Sequence, residues 1–137
     1  MPLFPSEAWI EAFCERFSAH PHAGEAARVL AGSYRFVIEP GGPLAERHDY
    51  GIDITPDGDS GASAVALAEP PQRPRVELRA SYPSWRKLIV GELDVGLAVM
   101  MRRLRVSGDV SSLTRHLSSA RPLTEALGAV DTQWLEP

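Results

Sequence analysis

The sequence predicts an α+β fold with a mostly antiparallel sheet. Three observations predict it. Trp9, Ile10, Phe13, Cys14 and Phe17 recur at three- and four-residue spacings, the apolar stripe of a helix. Segments between residues 34 and 78 then alternate apolar and polar side chains with a period of two. Helical spacing returns after residue 80. Strands and helices are therefore segregated along the chain, not interleaved as βαβ units.

Each element has a local cause. Ser6 is placed to cap the first helix, with Glu7 in the first turn where a carboxylate suits the helix dipole. His20-Pro21-His22 ends that helix, and an Ala-rich helix over 23–30 stops near Gly32. Tyr34, Phe36 and Ile38 alternate with Arg35, Val37 and Glu39 as a first strand, broken by Pro40-Gly-Gly-Pro43. Tyr50, Ile52 and Ile54 alternate with Gly51 and Asp53, and a turn follows at 55–58. A weak strand of small residues spans 62–68, and prolines 70, 71 and 74 interrupt it. Val76 and Leu78 alternate with Glu77 and Arg79 as a fourth strand.

Pro83 fits the first turn of the next helix. Trp85, Leu88 and Ile89 share its face, and Gly91 stops it. Asp94 caps a second helix whose Leu97, Met100 and Met101 share a face. Leu104 and Val106 alternate with Arg103 and Arg105 as a half-buried fifth strand ending at Gly108. Asp109 caps a helix carrying Leu113 and Leu117, Pro122 restarts it, and Gly128 stops it. The tail ends in Trp134-Leu135. With 137 residues and no linker or repeat, a single domain over 1–137 is expected.

Composition excludes several classes. The formal net charge of −4 argues against a phosphate-backbone binder, so nucleic acid is not an expected partner. A single cysteine allows no intramolecular disulfide, which makes a reducing, cytoplasmic setting the expectation. No secretory leader is visible at the N-terminus, and the apolar stretch Val95 to Met101 is too short to span a bilayer.

No constellation for chemistry stands out. His20 and His22 have no accompanying cysteine or carboxylate pair, and His48, Asp49 and His116 lack converging ligands, so no metal is expected. The segment 57–61 resembles a calcium loop only in its aspartates and glycines, and a turn between strands explains it. Cys14 lies on the apolar stripe and reads as a small buried hydrophobe. No catalytic residue, cofactor or enzymatic activity is expected. Arg102, Arg103 and Arg105 read either as the solvated face of an edge strand or as attraction for anionic headgroups, at about 1 kcal/mol per residue. The methionines read either as core or as adaptable contacts for varied apolar ligands.

Residues 80–109 resemble the type-two sterol carrier protein family. Trp85, Gly91, Leu93, Asp94, Ala98, Met100, Leu104, Val106, Gly108 and Asp109 fall on that pattern without a gap. The family often has glycine at the position of Arg102 and proline at Val95. If that glycine is left-handed, an arginine there would cost about 1–2 kcal/mol.

The resemblance implies a five-stranded sheet covered on one face by helices, with an apolar tunnel between the layers. Periodicity and resemblance together place Phe36, Ile54, Val76 and Leu78 on the tunnel floor. Trp85, Leu88, Leu97, Met100, Met101, Leu113 and Leu117 would complete the ligand site from the helical side. The function implied is non-enzymatic binding or transfer of a hydrophobic small molecule or lipid such as a fatty acid, acyl-CoA or sterol. Transient contact with a membrane surface and homodimerisation are further expectations. The main alternative is an interaction or dimerisation module with the same fold and a filled core. A third is a small enzyme using His48 or His116.

Overall fold

A computed structural model of the chain describes residues 1–58 and 61–136, without the side chains of 112–114 and 117. Its elements are β1 (Leu3–Phe4), α1 (Glu7–Ser18), α2 (Ala23–Leu30), β2 (Gly32–Glu39), β3 (His48–Asp57), β4 (Gly61–Ala66) and β5 (Val76–Ser81). There follow α3 (Tyr82–Val90), α4 (Val95–Met100), β6 (Arg105–Gly108), α5 (Val110–Arg115), a 3-10 turn (Leu117–Ala120), α6 (Arg121–Ala129) and β7 (Gln133–Trp134). No helix among the described residues is long and apolar enough to cross a membrane.

The expected α+β class and five-stranded sheet are present, in the order β4-β3-β2-β5-β6. Every pair is antiparallel except β2–β5, which is parallel. Register decides which side is buried. Tyr34 lies between Ile52 and Val76, and Phe36 between Tyr50 and Leu78. Ile54 stands opposite Ala64. These residues belong to one apolar cluster with α1, α2 and α3. The opposite face carries Arg35, Asp49, Glu77 and Arg79. α1 and α2 pack on the β3–β4 half, α3 on β2 and β5, and α6 on α1 and α3.

The caps lie where the sequence puts them. The Trp9 amide donates to Ser6 Oγ at 3.1 Å, and the Leu97 amide to Asp94 Oδ2 at 3.0 Å. Gly91 ends α3 in the left-handed region. Four features differ from expectation. The weak strand ends at Ala66, not at 68. The helix begun at Val110 gives way to a 3-10 turn before Arg121. The tail forms a short parallel pair, β1–β7, with Phe4 packed edge-on against Trp9 and Trp134. The turn expected at 55–58 begins later, because Thr55, Pro56 and Asp57 stay in β3, paired with Ser63, Ala62 and Gly61 of β4; residues 59 and 60 lie outside the described residues.

Parallel pairing of β5 with β2 requires the chain to cross the sheet from its β4 edge. Ala66 and Val76 stand at the same level, opposite Ile52 and Tyr34 respectively. Residues 67–75 therefore need to span only three strand spacings, about 14 Å. They cross on the face away from the helices, where Gly51 sits. A Cβ on Gly51 would lie 2.4 Å from Pro71 Cδ. The crossing is anchored at its far end by the Arg75 amide, which donates to the Ser33 carbonyl at 2.8 Å. The Arg75 guanidinium donates to the Val29 carbonyl at 3.1 Å and to Asp109 Oδ2 at 3.2 Å.

This architecture can be tested at two residues of β3. Gly51→Ala overpacks the crossing and should destabilise the protein by about 1–3 kcal/mol in chemical denaturation. The second residue is Asp49, whose carboxyl is held below the usual carboxylate range, chiefly by the Arg47 hydrogen bond at 2.7 Å, with Arg35 adding to it. The native state then binds fewer protons than the unfolded one, so stability rises with pH through that window. Asp49→Asn should lower stability by about 1 kcal/mol at neutral pH. The difference should disappear as pH falls below the native carboxyl's value, measured by urea denaturation at a series of pH values.

Candidate functional site

The most apolar layer lies between β2, β5 and the helices that follow β5. Ser81 caps α3, with the Ser84 amide donating to its Oγ at 3.4 Å. That start points Trp85 back over the sheet. Its indole Nε1 donates to the Val37 carbonyl at 3.0 Å, and its ring meets Phe36 edge-on at 5.9 Å. Phe13 of α1 packs on the other side of Phe36 at 6.0 Å. Ile54, Val76 and Leu88 are buried in the same cluster, with Leu78 partly buried against it. No polar or charged side chain is fully buried among the described residues.

The structure brings Phe36, Ile54, Val76, Leu78, Trp85 and Leu88 together. It does not bring Leu97, Met100 and Met101 to them. Those three are 48%, 82% and 51% exposed. α4 turns its small residue inward: Ala98 is its one buried side chain, with Val95 partly buried. Leu113 and Leu117 lie outside the described side chains. The sequence reading missed Phe13, Leu93 and Leu104 as neighbours of this layer, all three buried. Their period was visible, but nothing in it ties one apolar stripe to another.

After α4 the chain reverses through Arg102, whose φ is +59°. The Arg103 and Leu104 amides both donate to the Ala98 carbonyl, at 2.9 and 3.1 Å. This turn is left-handed at the position where the family resemblance implies glycine. An arginine there carries roughly 1–2 kcal/mol of strain.

Open volume lies elsewhere. A shallow depression of about 620 Å³ runs between α1 and β4, lined by Glu11, Cys14, Ser18 and Ala64 among others. A smaller one of about 180 Å³ adjoins it beside Glu7, Ile10 and Tyr50. The first holds no activated nucleophile. Burial pushes the Cys14 thiol up to about 12, and Glu11 and Glu15 reinforce the shift. His20 Nε2 lies 2.8 Å from Glu125 on α6, and this contact holds the Glu125 carboxyl below its usual range. His48 Nδ1 lies 3.0 Å from the Tyr50 hydroxyl. Among the described residues no three His, Cys, Asp or Glu side chains group as a metal site.

The profile of the SCP-2 sterol transfer family matches residues 10–119, which include the whole five-stranded sheet and α3 to α5. The chain belongs to that family. Solved structures agree on the SCP-2 fold. A conserved hypothetical protein of Thermus thermophilus superposes with a TM-score of 0.73 at 20% identity, covering 93% of this chain and 90% of that one. A sterol carrier protein 2 gives 0.72 at 22% identity, covering 91% and 97%. Sterol carrier protein domain 2 of Helicoverpa armigera gives 0.60 at 17%, covering 92% and 91%. No curated protein matches the sequence. An SCP-2 fold in this family indicates binding or transfer of lipids as a class.

One chemical expectation follows for Cys14. At about pH 8 an ordinary thiol is partly ionised and reactive. Cys14 should stay unlabelled by a disulfide reagent such as Ellman's in the native protein and react fully in denaturant, with labelling that tracks unfolding.

Proposed function

We propose that this chain binds an acyl chain or similar apolar ligand, without chemistry, between the sheet and α3–α4. The observation that carries this is the pairing of an apolar layer with a weakly attached roof. Phe36, Leu78, Trp85 and Leu88, over Ile54 and Val76, supply a surface with no charge to desolvate. α4 follows α3 in the chain, and Ala98 is its one buried side chain, part of the same core cluster. Lifting α4 would expose one alanine and would let Leu97, Met100 and Met101 close over the ligand.

Magnitudes suit a carrier. A sixteen-carbon chain gains about 12 kcal/mol at about 0.8 kcal/mol per methylene. Association and ordering take at least about 4 kcal/mol. The remainder, up to about 8 kcal/mol, corresponds to micromolar affinity. Such a ligand is released as readily as it is taken up. Selectivity among fatty acid, acyl-CoA and sterol would be low, because no polar or charged side chain is fully buried among the described residues to read a headgroup.

Delipidated protein titrated with palmitate should form a one-to-one adduct in native mass spectrometry. Tryptophan fluorescence should change as Trp85 separates from Phe36. Leu78→Trp fills the layer and should weaken uptake at least tenfold while leaving the protein folded. Absence of any adduct would sink the proposal. The tight Phe36–Trp85 contact favours the second reading, an interaction module with a filled core. A dimer with no lipid uptake would select it.

A further inference from the structure

Charge in this chain is unevenly divided. Residues 86–105 hold Arg86, Lys87, Arg102, Arg103 and Arg105 against Glu92 and Asp94. That segment is +3 in a chain of −4, which leaves −7 on the remainder. Arg86 lies over the Trp134 ring at 5.0 Å, and the Asp94 carboxylate caps α4. Among the described residues Arg102, Arg103 and Arg105 form no ion pair. All three are exposed.

The same segment exposes its large apolar side chains. Leu97, Val99, Met100 and Met101 all stand on α4 or its last turn, with Met100 the most exposed of them. At 82% exposure the Met100 side chain is open to solvent, not seated in a groove. A groove-bound peptide needs concavity, whereas a bilayer yields to a convex apolar tip. A second copy fits poorly, because a two-fold contact would set each arginine cluster against its own image.

We infer that the α4 tip docks on an anionic bilayer. Leu97, Met100 and Met101 enter the boundary between headgroups and acyl chains, and Arg102, Arg103 and Arg105 meet the lipid phosphates and carboxylates. Arginine at the strained position 102 then has a purpose: it places a cation at the point of the turn nearest the surface. Docking at α4 rests on the proposed lipid-binding function for its role, since α4 roofs the layer the ligand would enter. Docking itself is measurable without a ligand.

The full chain should co-sediment with vesicles of phosphatidylcholine plus phosphatidylserine, and much less with phosphatidylcholine alone. Added salt should weaken the interaction. Met100→Ser with Met101→Ser should abolish it, with little effect on folding because both side chains are exposed. Arg102→Gly should weaken vesicle affinity about fivefold while raising the thermal midpoint by about 4 °C, since it removes backbone strain and a cation together. A purely structural Arg102 would change the midpoint alone. Equal binding to both vesicle types, or binding retained by the methionine double variant, would overturn the inference. So would a dimer that the double variant dissolves with no vesicle binding. Palmitate uptake from solution, read separately by native mass spectrometry on the arginine variant, should be unchanged. Its failure in the unsubstituted chain would count against the ligand site, and failure of vesicle binding against docking.

Discussion

Parallel pairing of β5 with β2 is the constraint on which the rest depends. An all-antiparallel meander would have put β5 beside β4, far from the aromatic residues of β2. The crossing over Gly51 instead inserts β5 at the other side of β2. α3 then starts beside Glu39 at the end of β2, and Trp85 reaches back to the Phe36 ring and the Val37 carbonyl. β6 completes the sheet only because β5 offers it an edge, at a place where the backbones come close. A Cβ on Gly108 would stand 2.2 Å from the Arg75 carbonyl oxygen, at a φ of +97°. Arg75 and Asp109 close this corner onto the end of α2.

The sheet separates two kinds of energy. Its helical side is held by dispersion and apolar burial and contains no fully buried polar side chain among the described residues. Its other side is held by a charged network. Asp49 accepts from Arg47 and Arg35, and Glu77 lies 3.7 Å from Arg35 and 3.4 Å from Arg79. This division lets one face of the sheet hold the fold together in water while the other is free of charge. A ligand that enters the apolar layer therefore disturbs packing without breaking an ion pair.

The sequence made the strands legible because each has one wet and one dry face. The five strands and the caps Ser6, Ser81 and Asp94 act within a few residues of themselves. The crossing was not legible: prolines 70, 71 and 74 mark a loop but say nothing about which face it takes. β1 and β7 are two residues each, too short for any period. α4 was legible as a helix but not in its rotation. Leu97, Met100 and Met101 suggest one inward face, yet the side chain that α4 buries is the small one, Ala98. For the candidate site, the layer of Phe36, Leu78, Trp85 and Leu88 was visible in periodicity, whereas the outward methionines depend on a contact distance that no pattern encodes.

That rotation of α4 is also where the two proposals meet. In water, a six-residue helix with Leu97 and two methionines outward should turn over and bury them. The structure instead keeps them outward and buries Ala98 in the core cluster. A bilayer would remove the penalty for the outward side chains, and a ligand would give them an apolar chain to close over. A bilayer favours the outward orientation that α4 already has, whereas a ligand would favour the inward one, so the two events oppose each other. A loaded protein, with its methionines drawn inward over an acyl chain, has less apolar surface for the membrane than an empty one. On this reasoning the empty form binds the bilayer more tightly than the full form, so uptake of a ligand itself favours departure from the surface.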